Sequence, residues 1–138
     1  MAGYSGTQLV KKLGIQLGMR LYVQNPPIPY PELVAGLPVG IFWQNDLTEG
    51  LDFIHAFYTH PAGLAEDFPL FKYSLAPTGM VWISWPKRGS GMESDLNETI
   101  IRELGLGCGL VDVKVCAVDE TWSGLKFVIR RRDRPSSS

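Results

Sequence analysis

The residues of this chain with types suited to chemistry stand at the ends of apolar runs. Asn25 follows Leu21-Tyr22-Val23-Gln24. Tyr58 and His60 close the run from Leu51, and Trp85 and Lys87 close Val81-Trp82-Ile83-Ser84. A histidine at such an end can serve as a general base or a proton switch near neutral pH. A lysine there can hold an anion against the start of the next helix. Asp119, Glu120 and Trp122 form a second cluster. Two carboxylates suit acid–base work, but neighbours along a strand point to opposite faces, so one of them at most meets a given cleft. Asp119 can instead bond the amides of a turn. Trp122 can cover the rim, meet another copy of the chain or plug the sheet end. His55 falls inside its run and reads as a core histidine with a satisfied ring.

Other chemistry finds little support. Two histidines without a carboxylate at ligand spacing make a poor metal site. Cys108 and Cys116 are too few for a disulfide framework and read as reduced thiols, Cys116 in the core and Cys108 in a helix-ending turn. No serine occupies a nucleophile elbow, and no glycine–lysine phosphate loop occurs; Lys87-Arg88-Gly89-Ser90-Gly91 is a weak anion motif. Neither a metal nor a cofactor is expected.

The elements that position these residues follow from periodicity and punctuation. Thr7 can cap a helix through Leu13, ended by Gly14. A strand over Met19–Gln24 stops at Asn25-Pro26-Pro27-Ile28-Pro29. A short helix over Tyr30–Ala35 and strands over Gly40–Gln44 and Leu51–Tyr58 follow. A helix over Ala62–Ser74 carries Leu64, Phe68 and Phe71, with Pro69 predicting a kink or a break. Ala76-Pro77-Thr78-Gly79 predicts a turn before the Trp82 strand. Asp95 and Glu98 offer a capping box for a helix to about Leu104. Strands over Leu110–Val118 and Leu125–Arg131 close the chain, joined by a loop over Asp119–Gly124. The link Asn45–Gly50 is too short for a helical crossover, so the second strand either runs antiparallel at an edge or returns by an irregular loop. The pattern predicts one α/β domain over residues 1–133, with a disordered tail over 134–138. The domain is a Rossmann-like three-layer sandwich whose mostly parallel sheet ends in an antiparallel pair. Ligands of such sheets sit beyond the carboxyl ends of the strands. Asn25, Tyr58, His60, Trp85 and Lys87 are therefore the candidate ligand-binding rim.

Composition bounds the partners. The 138 residues are 45% hydrophobic and 20% charged, with a formal net charge of -1. That balance gives no general drive toward nucleic acid or an anionic membrane. Arg130-Arg131-Arg132-Asp133-Arg134 reads as a solvated tail rather than a phosphate contact. No apolar stretch approaches a membrane span. With no signal-like N-terminus, a cytoplasmic protein is expected, with a protein or small-molecule ligand or a second copy as partner.

Two family resemblances add to this reading. Leu51-Asp52-Phe53-Ile54, the passage Leu75–Val81 and the closing stretch Leu110–Arg130 resemble the C-terminal half of a class I methyltransferase. That family grips S-adenosylmethionine with a glycine-rich turn after its first strand. The corresponding turn here reads Asn25-Pro26-Pro27-Ile28-Pro29-Tyr30, where prolines remove amide donors and no glycine permits close approach. Asp46 stands where the family's acidic residue after the next strand is expected. Separately, Gly3–Thr7, Lys11–Ile15, Trp85-Pro86-Lys87 and Val115–Lys126 resemble the small bacterial family catalogued as domain of unknown function 3052. That resemblance implies no assigned activity. The expectation is a non-catalytic binding or self-association module; the alternative is a divergent methyltransferase-like enzyme with its site at the strand carboxyl ends.

Overall fold

A computed structural model describes residues 8–134. The proposed cap Thr7 and the tail beyond Arg134 lie outside them. Four helices and six strands follow one another: α1 (Leu9–Leu13), β1 (Arg20–Gln24), α2 (Tyr30–Leu33), β2 (Phe42–Trp43), β3 (Leu51–Phe57), α3 (Pro61–Ser74), β4 (Leu75–Pro86), α4 (Glu98–Gly107), β5 (Leu110–Ala117) and β6 (Trp122–Ile129). The six strands form one sheet in the order β2-β1-β3-β4-β6-β5. The first four are parallel, and β6 runs antiparallel to both β4 and β5.

Burial follows position. The central strands β3 and β4 are buried on both faces, which explains their unbroken apolar runs. One face carries Ile54, Ala56, Val81, Ile83, Leu125 and Phe127 against Leu64, Phe68 and Phe71 of α3 and Ile101 of α4. Gly105 lets α4 approach the Phe127 ring, because any β-carbon there would collide with it. The opposite face packs Phe53, Phe57 and Trp82 under Val10 and Leu13 of α1 and Tyr30 of α2. The Trp82 indole N–H donates to the Leu13 carbonyl at 2.9 Å, tying α1 to the sheet. His55 lies in this face as a core residue. Its Nδ1 shares a 2.7 Å hydrogen bond with the Tyr30 hydroxyl, and its Nε2 one of the same length with the Ser84 hydroxyl. Its ring stacks on Phe57.

Several expectations are corrected. Of the two alternatives for the second strand, the irregular loop is the one adopted, because β2 is parallel to β1. The strand's extent shrinks from Gly40–Gln44 to two residues, pairing Arg20 with Phe42 and Leu21 with Trp43. Because β2 stops at the level of Leu21, a short irregular loop suffices to return to Leu51. Arg20 holds that loop, donating to the Glu49 carbonyl and the Thr48 hydroxyl while its own amide donates to Asp52. Pro69 does not break α3, which runs through all 14 residues. The bond a proline cannot make would go to the Ala65 carbonyl, on the exposed side where water can satisfy it. The expected turn Ala76–Gly79 lies within β4 as an irregularity: Leu51 pairs with Leu75 but Phe53 with Met80. A β-carbon on Gly79 would meet the Leu51 carbonyl oxygen at 2.6 Å, so the crowded backbone needs glycine. The cap of α4 is Asn97, whose side chain accepts from the Ile100 amide at 2.9 Å. Asp95 is occupied elsewhere.

Candidate functional site

The sheet order reverses between β1 and β3, since β2 lies on one side of β1 and the chain continues on the other. In an open α/β sheet such a switch point opens a crevice beyond the carboxyl ends. The residues there are Gln24 and Asn25 after β1, and Tyr58, Thr59 and His60 after β3. Lys87 follows β4 along the same edge. The β5–β6 hairpin also turns there, because Pro86 pairs with Trp122. The topology thus brings the expected rim residues to one edge of the sheet, but their side chains take part in three separate arrangements.

The first arrangement fills the switch point. Tyr58 donates its hydroxyl to Asp67 Oδ2 at 2.6 Å. The Gln24 amide nitrogen lies 2.9 Å from the Tyr58 oxygen and 3.0 Å from the same Asp67 oxygen. Tyr22 donates to Gln24 Oε1 at 2.9 Å. Burial raises the Tyr58 phenol well above its usual pKa, and the Asp67 carboxylate adds to the rise. Tyr22 is raised too, by burial and then by the charges of Asp67 and Asp46. Asp46 is thus close enough to influence this cluster, although it is exposed. Sequence reasoning missed Tyr22, Gln24 and Asp67. The available signal was Asp67 on the inward side of α3, beside Leu64, Phe68 and Phe71.

Asn25 stands exposed at the lip with φ +55°, the only described non-glycine residue with positive φ. Asparagine tolerates the left-handed region better than most residues, and such outliers gather at functional loops. The connector that follows holds Pro26, Pro27 and Pro29 and reaches α2 after four residues.

The second arrangement lies beyond β4. Residues 85–89 and 92–97 line a cleft of about 520 Å3. Its charges are mixed, with Lys87 and Arg88 near Glu93 and Asp95. His60 Nδ1 and Asp95 Oδ1 are 2.8 Å apart, both largely exposed. Ser94 and the Asp95 amide both donate to the Thr59 carbonyl, which fixes the cleft wall to the end of β3. Trp85 lines the cleft with a buried ring that belongs to the core.

The third arrangement is the hairpin clamp. The Lys87 ammonium donates to the Asp119 carbonyl at 2.8 Å, and the Lys87 amide to the Thr121 carbonyl at 2.7 Å. Asp119 Oδ1 accepts from the amides of Thr121 and Trp122 at 2.9 and 2.7 Å. Asp119 therefore pins the turn. Trp122 is buried edge-on against Phe57 at the sheet end. Glu120 points to solvent. Among the described residues no group of three or more His, Cys, Asp or Glu side chains could hold a metal ion, and no helix is long and apolar enough to cross a membrane.

The architecture is that of Rossmann-like methyltransferases. A SAM-dependent methyltransferase from Aquifex aeolicus superposes with a TM-score of 0.58 at 14% identity, covering 86% of this chain and 86% of that one. A TehB-like SAM-dependent methyltransferase from Corynebacterium glutamicum gives 0.55 at 11% identity, over 83% of this chain and 82% of the other. Fibrillarin from Aeropyrum pernix, in complex with natively bound S-adenosyl-L-methionine, gives 0.55 at 16% identity, over 84% and 69%. The likeness to the first two spans most of both chains rather than a C-terminal half, and at these identities it shows the fold alone. No family model matches the sequence, and no curated protein matches it.

The Aeropyrum fibrillarin holds S-adenosylmethionine, and the residues after β1 in this chain do not form a main-chain cradle for such a ligand. A main-chain cradle needs free amides and close approach. Three of the five residues Asn25–Pro29 lack an amide hydrogen, and the first glycine is Gly36. The four-residue α2 has no appreciable dipole to offer a charged ligand.

Proposed function

We propose that this chain is a non-catalytic binding or self-association module on a methyltransferase-like fold, without the main-chain grip on S-adenosylmethionine. The proline-laden connector Asn25–Pro29 carries this reading. Two further features support it. The ends of β1 and β3 at the switch point are tied to α3 by the chain's own Gln24–Tyr58–Asp67 network. Exposed apolar side chains lie on and near the short edge strand: Phe42 and Trp43 within it, Val39 and Leu17 outside it. Such groups on an edge suit contact with an apolar partner surface. A cytoplasmic location and kinship with the domain of unknown function 3052 family belong to the same proposal, supported by the Val115–Lys126 motif.

Ligand-induced stabilisation tests it, since a ligand of the native state raises the melting temperature. Millimolar S-adenosylmethionine is expected to leave the Tm unchanged. A saturable rise would overturn the proposal.

One observation favours the alternative, a divergent enzyme. A histidine held by a carboxylate on the lip of a cleft, as His60 is by Asp95, is an arrangement for general-base work. On that reading a Tm rise with S-adenosylmethionine or a nucleotide is lost in His60→Ala.

A further inference from the structure

A cluster of cations lies away from the carboxyl edge, half-way along the edge strand β5 and its neighbour β6, on the face that α1 covers. Lys114 of β5 and Lys126 of β6 are direct cross-strand partners. Trp82 of β4 is the partner of Lys126 on its other side. The Lys114 ammonium reaches across to the Lys12 carbonyl at 3.2 Å. Lys114 thus has a structural task, since a cation at the carboxyl end of α1 satisfies an orphan carbonyl. Lys126 has no such task. Among the described residues its ammonium meets no carboxylate and no hydrogen-bond acceptor. Residues 1–7 and 135–138 add no Asp or Glu.

Like charges directly opposite each other destabilise a sheet. Lys126 is also half-buried, at a strand position flanked by the buried Trp82 on one side and the exposed Lys114 on the other. Burial and then the Lys114 charge lower its pKa. Lys12 and Lys114 both act on the Cys116 thiol beside them, although burial dominates there and raises it. The opposed lysines repel each other, whereas an anion placed between the two ammonium groups would reverse the sign of that interaction.

We propose that Lys126, with Lys114 and Lys12, forms a binding site for a compact multivalent oxyanion of the phosphate class, on the α1 face of the sheet. Multivalency follows from the number of cations. A carboxylate neutralises one, whereas a phosphate group carries about two charges and three acceptor oxygens. The site is independent of the binding reading of the carboxyl edge and stands if that reading fails.

The test compares wild type, Lys126→Met and Lys126→Gln in chloride, acetate, phosphate and pyrophosphate at constant ionic strength. In chloride, Lys126→Met is expected to melt higher than wild type, by about 2–5 °C, because repulsion and desolvation are removed. Millimolar pyrophosphate is expected to raise the wild-type Tm and to broaden its own phosphorus resonance on adding protein. Both effects should be absent in Lys126→Met and Lys126→Gln. Phosphate alone and a phosphate monoester distinguish a free ion from an ester as the source. The proposal is overturned if chloride or acetate matches pyrophosphate, if the variants keep the response, or if both melt below wild type in chloride. A short RNA that stabilises the protein where pyrophosphate does not would also overturn it.

Discussion

The two flanks of this sheet are built to different standards. On the β4–β6–β5 side, strands of eight to twelve residues pair along their length. The turn between β5 and β6 is clamped by Asp119 and Lys87, and α4 sits close through Gly105. On the β1–β2 side, the edge strand has two residues and the crossover helix four. The apolar side chains of β2 face solvent. The flanks differ first in connection: β1 and β2 are parallel and need a crossover, whereas β5 and β6 form an antiparallel hairpin beside β4. Side chains and loop chemistry widen the contrast. Prolines 26, 27 and 29 stop β1, and the crossover helix ends early at Val34, ahead of Gly36 with φ +82° and Pro38. In this sheet the switch point, between β1 and β3, lies on the thin side. The region where this architecture offers a ligand site is therefore the region where this chain has invested least regular structure.

That contrast predicts where substitutions are costly. The largest effect is expected at Trp82, which is fully buried between α1 and the hairpin sheet. Trp82→Ala removes a large core side chain and orphans the Leu13 carbonyl. A loss of about 3–5 kcal/mol is expected, read from the urea midpoint at unchanged slope. A loss below about 1 kcal/mol would show that α1 contributes little to the firm side.

The next largest effect concerns His55, at the junction of the flanks. Burial lowers its pKa to about 3 from an ordinary 6.5. The unfolded chain takes up a proton at pH 6.5, and the folded one does not until about 3. The contribution is fully present above 6.5 and is lost progressively as pH falls toward 3, at a slope on the order of 1.4 kcal/mol per unit. Carboxylates add their own acid dependence, so the specific check is the His55 ring resonance by NMR. It should not titrate between pH 8 and 4. A midpoint near 6 would mean that water reaches the Tyr30–His55–Ser84 chain.

Much of this was legible in the sequence, and the failures are local. The unbroken run Val81–Trp85 signalled a strand covered on both faces, and Gly14 marked the end of α1 through its positive φ. Asp119 announced its turn, because an aspartate two residues before a free amide has a known use. The cap of α4 was misassigned because Asp95 and Asn97 are both good cap residues. Asn97 takes the cap by accepting from the Ile100 amide, while Asp95 lies against His60, 35 residues away in sequence. Pro69 failed to break α3 because packing of Leu64, Phe68 and Phe71 outweighs one missing hydrogen bond on an exposed side. The switch-point network was invisible for the same reason of distance. Gln24 and Asp67 are ordinary polar residues until β1 and α3 bring them to one tyrosine.

Two smaller predictions sharpen the comparison. Asn97→Ala removes the cap of α4 on the firm side and is expected to cost about 1 kcal/mol. Asp95→Ala should cost less, because its partner is an exposed histidine. The reverse order, measured by urea denaturation, would restore Asp95 as the functional cap.

The smallest effect is expected at Phe42, on the thin side. Its ring is more than half exposed, and its strand contributes two residues of pairing. The loop that follows is fastened by Arg20 and not by the phenylalanine. Phe42→Ser should therefore change stability by less than about 0.5 kcal/mol. If this flank is a contact surface, the same substitution should still lower the apparent mass or the binding of an apolar partner, seen by sedimentation velocity over a range of concentrations. A large loss of stability instead would mean that the exposed ring supports the fold, and the two flanks would then differ in length but not in purpose.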